Sequence, residues 1–347
     1  MTELSRTTPR LKDIASAVGV HPSTASRALN PATAHLLSPD VVSRVKEAAR
    51  LMDYSINTLA AGLRTRRTHT IGIVVRDLTN TMLPVMFRGI EDRLRQDNYV
   101  AILANTYADR QRKADVINAF LDRRVDGLIM TYAEINDEAV AFARSRGVPL
   151  VFLNRGTGDE TECRVNPDIP DAMKQIVTHL VGLGHRRIAH LAGPVDSTIA
   201  EEKMGALKAA MIDHGLTIDP DLFMRVDQVS EPDARRAARK LVPRCEDATA
   251  IVAANDILAL SCIDEAEAAG YACPDRLSIT GFNDMPFISR IKPGLTTIRI
   301  PHHEMGFKAA DLLLAQLDAP GTTPPGCILP TTLVVRGSTA KSCYPDG

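Results

Sequence analysis

The 347-residue chain predicts an α/β protein: parallel sheets in two or three lobes, preceded by a small helical head. Two observations predict it. From residue 70 onward, apolar strand-like runs ("TIGIVV", "YVAILAN", "GLIMT", "PLVFLN", "RIAHLA", "TAIVAA", "LSITGF") alternate with amphipathic stretches at 83–97, 110–123, 170–183 and 201–214. That rhythm builds βαβ units and parallel sheets, whose ligands gather at the carboxyl ends of the strands. The charge is also unevenly placed. Residues 1–68 carry ten Lys/Arg against five acids, whereas the whole chain has a net charge of -1. A basic head on an acidic body fits a head that meets a polyanion.

The head comes first in order. Leu11, Ile14, Ala15 and Val18 form one apolar helical stripe, and Gly19 ends it, with Val20 turning the chain inward. "HPSTASRALN" (21–30) follows, with Pro22 suited to a first helical position. Ala25, Ala28 and Leu29 are expected inside; Ser23, Ser26, Arg27 and Asn30 outside. Ser38-Pro39-Asp40 then supplies a cap, an N1 proline and a first-turn acid for a third helix, with apolar Val41, Val42, Val45, Ala48, Ala49 and Met52. Two short helices joined by a glycine turn and braced by a third make a helix-turn-helix. The outward face of 21–30 offers hydroxyl and amide donors for phosphates and one guanidinium for a base edge.

"LKDIASAVGVHPSTASRALN" resembles the headpiece of the lactose repressor (LacI/GalR) family, matching it at Asp13, Ala15, Gly19, Val20, Thr24, Ser26, Arg27, Leu29 and Asn30. The resemblance runs on through "IGIVVRDLTN", "RRVDGLIM", "LGHRRIAHLAGP", "AANDILAL", "LSITGFND" and "LTTIR". It implies a helix-turn-helix headpiece (1–54), a hinge helix (55–68) and two Rossmann-like lobes of a periplasmic-binding-protein-like core. The lobes are expected at 69–163 plus 292–321 and at 164–291 plus 322–347, with crossings near 163, 291 and 322.

Within the headpiece the resemblance places the variable base-reading pair on Pro22 and Ser23, which offer one hydroxyl between them. Direct readout therefore rests on Arg27, and Thr24, Ser26 and Asn30 anchor phosphates. In the hinge, Asn57 and Leu63 are expected on DNA, Leu63 as the wedge that kinks the minor groove. Three positions depart from the family pattern. His21 stands for the usual serine cap, Arg10 for the cap of helix one (with Thr8-Pro9 as an earlier start), and Ile56 for the common hinge proline.

In the core, motif matching assigns a small-molecule effector to Asp77, Asn80, Arg155, Asn255 and Asn283. The usual ligand-clamping arginine falls on Glu202, or on Lys203 with a one-residue slip. Asn283 replaces an aspartate that grips hydroxyls in sugar-binding members, so a simple sugar does not follow by analogy, and Arg155 is the candidate to receive an anionic group. The implied partners are palindromic double-stranded operator DNA, the effector and a second copy, in a homodimer built through 83–96 and 107–123.

Other classes find less support. No apolar run reaches the ~20 residues of a membrane helix, and no secretory signal opens the chain, so a cytoplasmic location is expected. The six cysteines show no CxxC and read as reduced thiols; "HHEM" (302–305) is not HExxH and opens a helix. His179, His185 and His190 surround a helix-to-strand turn rather than standing at metal spacing. With no phosphate loop, no GxGxxG and no catalytic constellation, neither metal nor cofactor is expected and the chain reads as a non-enzyme. The alternatives are a solute-binding protein, which has no use for residues 1–68, or an enzyme on the same Rossmann-like core.

Overall fold

The computed structural model describes residues 9–54, 67–154, 156–159, 161–195 and 197–344. The chain divides into two units, Met1–Thr68 and His69–Gly347.

In the first unit, helices α1 (Leu11–Val18), α2 (Pro22–Leu29) and α4 (Pro39–Leu51) enclose a small core, with a single turn, α3 (Pro31–Ala34), after α2. Ile14, Ala15, Ala25, Ala28 and Val45 are the fully buried residues, from the stripes the spacing predicted. α1 starts at Leu11 with Arg10 as N-cap, not at Thr8-Pro9. Arg10 has no side-chain acceptor to offer its helix; instead the Asp13 carboxylate accepts from the Arg10 backbone N–H at 2.8 Å. Gly19 closes α1 at φ 70°, which a side chain tolerates poorly. The Arg44 guanidinium of α4 donates to the Val18 carbonyl at 2.7 Å, satisfying a helix-end acceptor and fixing the bundle. Ser38 holds the N-cap position of α4 without a side-chain cap bond.

The second unit holds two six-stranded sheets. The first lobe contains β1 (Thr70–Val75), β2 (Val100–Asn105), β3 (Gly127–Met130), β4 (Leu150–Leu153), β5 (Arg164–Pro167) and β11 (Cys327–Leu329). Its order is β11-β5-β4-β3-β1-β2, all parallel. The second lobe contains β6 (Ile188–Ala192), β7 (Phe223–Arg225), β8 (Ala250–Ala253), β9 (Ser278–Asn283), β10 (Thr296–Arg299) and β12 (Thr332–Val334). Its order is β12-β10-β9-β8-β6-β7, with only β12 antiparallel. β3, β4, β6 and β8 are buried along their whole length, as strands covered by helices on both faces must be.

Helices α5 (Leu83–Leu94), α6 (Arg110–Asp122), α7 (Glu138–Ser145) and α12 (His302–Asp318) serve the first lobe. Helices α8 (Ile169–Gly182), α9 (Thr198–Asp213), α10 (Glu231–Leu241) and α11 (Asp256–Ala268) serve the second. The chain passes between the sheets three times: after Pro167, after Arg299 and after Leu329. This corrects the expected crossings near 163, 291 and 322, and with them the lobe limits of 69–163 plus 292–321 and 164–291 plus 322–347. The strands responsible are three or four residues long, polar or proline-flanked ("RVNP", "TTIR", "CIL"), and carry too little apolar periodicity to declare their sheet.

α5 and α12 cross at backbone contact. A Cβ on Gly89 would lie 1.9 Å from the His303 carbonyl oxygen, and one on Gly306 would lie 2.0 Å from the Met86 carbonyl oxygen. Two glycines thus permit the close crossing that seats α12 against β3, β4 and β5. Among the described residues no helix is long and apolar enough to cross a membrane.

Candidate nucleic-acid interface and ligand cleft

α2 presents the predicted outward face. Pro22, Ser23, Arg27 and Asn30 are exposed, Thr24 and Ser26 half-buried, while Ala25 and Ala28 are sealed in the core. The departure at His21 is resolved by geometry. Its Nδ1 accepts from the Ser23 backbone N–H at 3.2 Å and meets the Ser23 hydroxyl at 2.8 Å, so imidazole performs the capping that serine would. Ser23 is therefore oriented by His21 rather than freely rotating. Among the described residues the Arg27 guanidinium makes no hydrogen bond or ion pair, which leaves all its donors for an external acceptor. Asn30 is the C-cap of α2, its N–H donating to the Arg27 carbonyl at 3.3 Å. Replacing His21 with Ala is expected to destabilise α2 by about 1 kcal/mol, with Ser or Asn restoring it. Hydrogen exchange at the α2 amides in the full chain checks this; unchanged protection would contradict the cap.

Asn57 and Leu63 lie outside the described residues, as does Arg155.

In the second unit, a cleft of about 260 Å³ opens where the carboxyl ends of the parallel strands of both lobes meet. The first lobe contributes Arg76, Asp77 and Asn80 after β1, Thr131 and Tyr132 after β3, and Asn154 after β4. The second contributes Lys203 from α9, Asn255 after β8, and Phe282 and Asn283 at the end of β9. Ile300 and His302 enter from the second crossing. Met82, Leu83, Met86, Ile169 and Ile199 make the apolar remainder of the wall. Polar groups converging on an apolar cleft are the usual composition of a small-molecule site.

Several of these polar groups do local structural work as well. Asn80 Oδ1 accepts from the Met82 N–H at 3.0 Å, and Asn255 Oδ1 caps α11 through the Leu258 N–H at 2.9 Å, leaving each amide nitrogen as donor. Asp77 Oδ1 accepts from the Thr79 N–H. The loop with Asn283 (φ 119°) and Asp284 (φ 54°) is strained and fastened from behind. Buried Asp256 accepts from Thr297 Oγ1 at 2.6 Å and from the Met285 N–H at 2.7 Å, while Arg299 and Arg336 pair with Asp284. Burial pushes the Asp256 carboxyl above its usual range. Gly281 has no side chain because a Cβ there would meet Asp256 Oδ1 at 2.3 Å.

On the first-lobe side, Tyr132 hydroxyl bonds Thr106 Oγ1, and the Lys113 ammonium sits 4.4 Å from the Tyr132 ring centre while pairing with Asp137 at 2.5 Å. Burial holds the Tyr132 phenol above its usual value. Lys203, 8 % exposed, donates to the Ala254 carbonyl at 2.8 Å and lies 3.7 Å from the Phe282 ring centre.

The comparisons with known proteins follow this geometry. A periplasmic binding protein-like domain is matched over residues 177–339. The chain is 27% identical to catabolite control protein A of Staphylococcus xylosus over 332 residues, covering 96% of this chain and 99% of that protein. It is 28% identical to the ribose operon repressor of Escherichia coli over 329 residues, covering 94% and 99%. A lac repressor dimer solved with operator and the anti-inducer ONPF superposes with a TM-score of 0.85 at 24% identity, over 96% of this chain and 100% of that one. Over nearly its whole length the chain is thus similar to repressors and control proteins of the lactose repressor (LacI/GalR) type, and it shares the fold of the lac repressor.

The structure brings Asp77, Asn80, Asn255 and Asn283 together on one cleft. Glu202 is not among its walls: its side chain is exposed and Lys203 takes the place, because with Ile199 on the cleft the residue one helical turn on is 203. Sequence reasoning passed over Tyr132, Asn154 and His302. The first two close strands without a distinctive motif, and "HHEM" signalled only the helix that it does open. Three other histidines, His179, His185 and His190, are held by structural hydrogen bonds. His185 bonds Thr249 Oγ1 and the Ala340 carbonyl, His179 bonds Thr339, and buried His190 bonds the Val252 carbonyl, burial pushing its ring down to about 4. The six cysteines are unpaired. Among the described residues no cluster of metal-ligating side chains forms.

Proposed function

We propose that this protein is a sequence-specific DNA-binding transcriptional regulator, acting as a repressor. A homodimer grips a palindromic operator, with affinity set by a small-molecule effector in the interlobe cleft. The observation that carries the reading is the exposed α2 face. Among the described residues Arg27 has every donor unspent, on a helix capped by a histidine. Arg27 reads a base edge, Pro22 and Ser23 sit beside it, and Thr24, Ser26 and Asn30 take phosphates. Asn57 and Leu63 are proposed for the minor groove at the centre of the site.

The effector contacts are Asp77, Asn80, Asn255 and Asn283, with Lys203 in the role first given to Glu202, and Arg155 remains proposed. A ligand preferring one degree of lobe closure shifts operator affinity by its differential affinity for the two states, and DNA shifts ligand affinity reciprocally. We place the protein in the cytoplasm and assign it no catalytic step.

Operator binding against salt tests this. Affinity for an operator chosen by selection from random duplexes should fall steeply as salt rises, log K dropping by about 0.9 per phosphate neutralised for each tenfold rise in salt. A flat salt response, or selection that returns no palindrome, rejects the reading.

A further inference from the structure

The second-crossing end of the cleft carries a buried group that no described residue satisfies. His302 is the first residue of the 17-residue helix α12, is 8 % exposed, lines the cleft, and among the described residues meets no hydrogen-bond partner at either ring nitrogen. Buried polar groups in proteins are paired almost without exception, and an unpaired one facing a cavity marks a place where another molecule completes the bonding. The chemistry of that molecule follows from the surroundings. The ring stands at a helix N-terminus, where backbone N–H groups point outward and favour negative charge.

From α9, Lys203 faces the same space, its ammonium between the Ala254 carbonyl and the Phe282 ring, and its charge acts on His302. Other charged or titratable groups also face or back the cleft. After β1, Asp77 accepts from the Thr79 N–H, and the exposed Arg76 beside it is a further cation on the first-lobe wall; after β3, the Tyr132 hydroxyl bonds Thr106. Behind β9, Asp256 is taken up by Thr297 and Met285. On α12 itself, His303 bonds Asp92, and Glu304 is exposed. Burial, and then Lys203, push the His302 ring down to about 4, so it waits as neutral imidazole.

We propose that the effector is a small organic anion whose carboxylate or phosphate oxygens sit between His302 and Lys203 at the N-terminus of α12, and that His302 takes up one solvent proton as the anion binds. This rests on the cleft being the effector site. The sign follows from linkage. An anion beside the ring favours imidazolium and raises its pKa from about 4. Between the free and bound pKa values the complex holds more protons, so affinity is highest at low pH and falls by about tenfold per unit as pH rises through that window. Above the bound-state value it levels off.

Calorimetry on the full chain between pH 5 and 8 tests this with two matched series: D-glucose, D-glucuronate and D-glucose 6-phosphate; and D-ribose, D-ribonate and D-ribose 5-phosphate. The expected result is an acid binding at least about tenfold tighter than its neutral parent, with proton uptake revealed by buffers of different ionisation enthalpy. Comparison within a series tells carboxylate from phosphate. His302→Gln keeps hydrogen-bonding atoms but does not titrate, so it should remove the pH dependence and proton uptake seen with glucuronate or ribonate, which stay ionised across this range; the phosphate esters titrate themselves at about pH 6. Lys203→Met should weaken the acid and spare the parent.

A neutral parent binding as tightly as its acids, no acid binding in either series, or a His302→Gln variant with the wild-type pH slope overturns the proposal. The underlying reading fails separately. Binding that survives a cleft-filling Ile199→Trp lies elsewhere, whereas neutral-ligand binding abolished by it leaves the cleft in place and removes only the anion.

Discussion

Gly306→Val is expected to destabilise the two-lobe core strongly. The Cβ of any residue at 306 falls 2.0 Å from the Met86 carbonyl oxygen and 3.1 Å from the Ile90 nitrogen, and both are helix backbone rather than the end of a flexible side chain. Relief therefore requires α5 and α12 to move apart as rigid bodies. α12 cannot follow cheaply, because Met305, Ala309, Leu313 and Leu314 from the same helix are buried in the core of the first lobe. Separation trades packed apolar contacts for a gap along the whole crossing. Overpacking a tight interior typically costs 1–3 kcal/mol, and a backbone clash of this size is expected at or above about 3 kcal/mol. For a unit of this size that lowers the melting temperature by roughly 10 °C. Gly89→Val meets the His303 carbonyl in the same way and should match it. Thermal denaturation of the full chain followed by circular dichroism measures both; a melting point within a degree or two of the parent would show that the crossing yields.

Arg27→Ala should abolish most base discrimination while leaving the headpiece folded. Arg27 is exposed and its side chain supports nothing in the three-helix core, so its loss costs little stability. A bidentate arginine–guanine contact is worth about 1–3 kcal/mol of discrimination, and a dimer makes it twice. Specific affinity should drop by tens- to about ten-thousand-fold, and the penalty for substituting one base pair in each half-site should vanish. Fluorescence anisotropy with the selected operator and its single-base variants reads this directly. Retained preference at every position would move readout to Ser23 and the hydroxyl face.

Much of this was legible in the residues because the physics that produced it is local. A stripe at 11, 14, 15 and 18, a glycine at 19, a proline at 22 and alanines at 25 and 28 leave few packings open, and the structure has the one they imply. The βαβ rhythm likewise announced parallel sheets, while Asp77, Asn80, Asn255 and Asn283, which lie on one cleft, were named by the resemblance of their motifs. The capping role of His21 was open in the sequence, since an imidazole caps only in the right tautomer and rotamer, and only coordinates show Nδ1 at the Ser23 N–H.

Composition and periodicity by themselves determined the class of each element, the polar face of α2 and the strand ends at which a ligand would gather, because these depend on neighbours a few residues apart. Tertiary structure alone decided which sheet received β5, β10 and β11, whether Glu202 or Lys203 turned inward, and that His302 ended its path at the cleft with both nitrogens unpaired among the described residues. Those outcomes depend on contacts between segments far apart in the chain, as between Lys203 and His302 or Gly89 and His303. A short polar strand or a single helical residue carries no local preference strong enough to anticipate them.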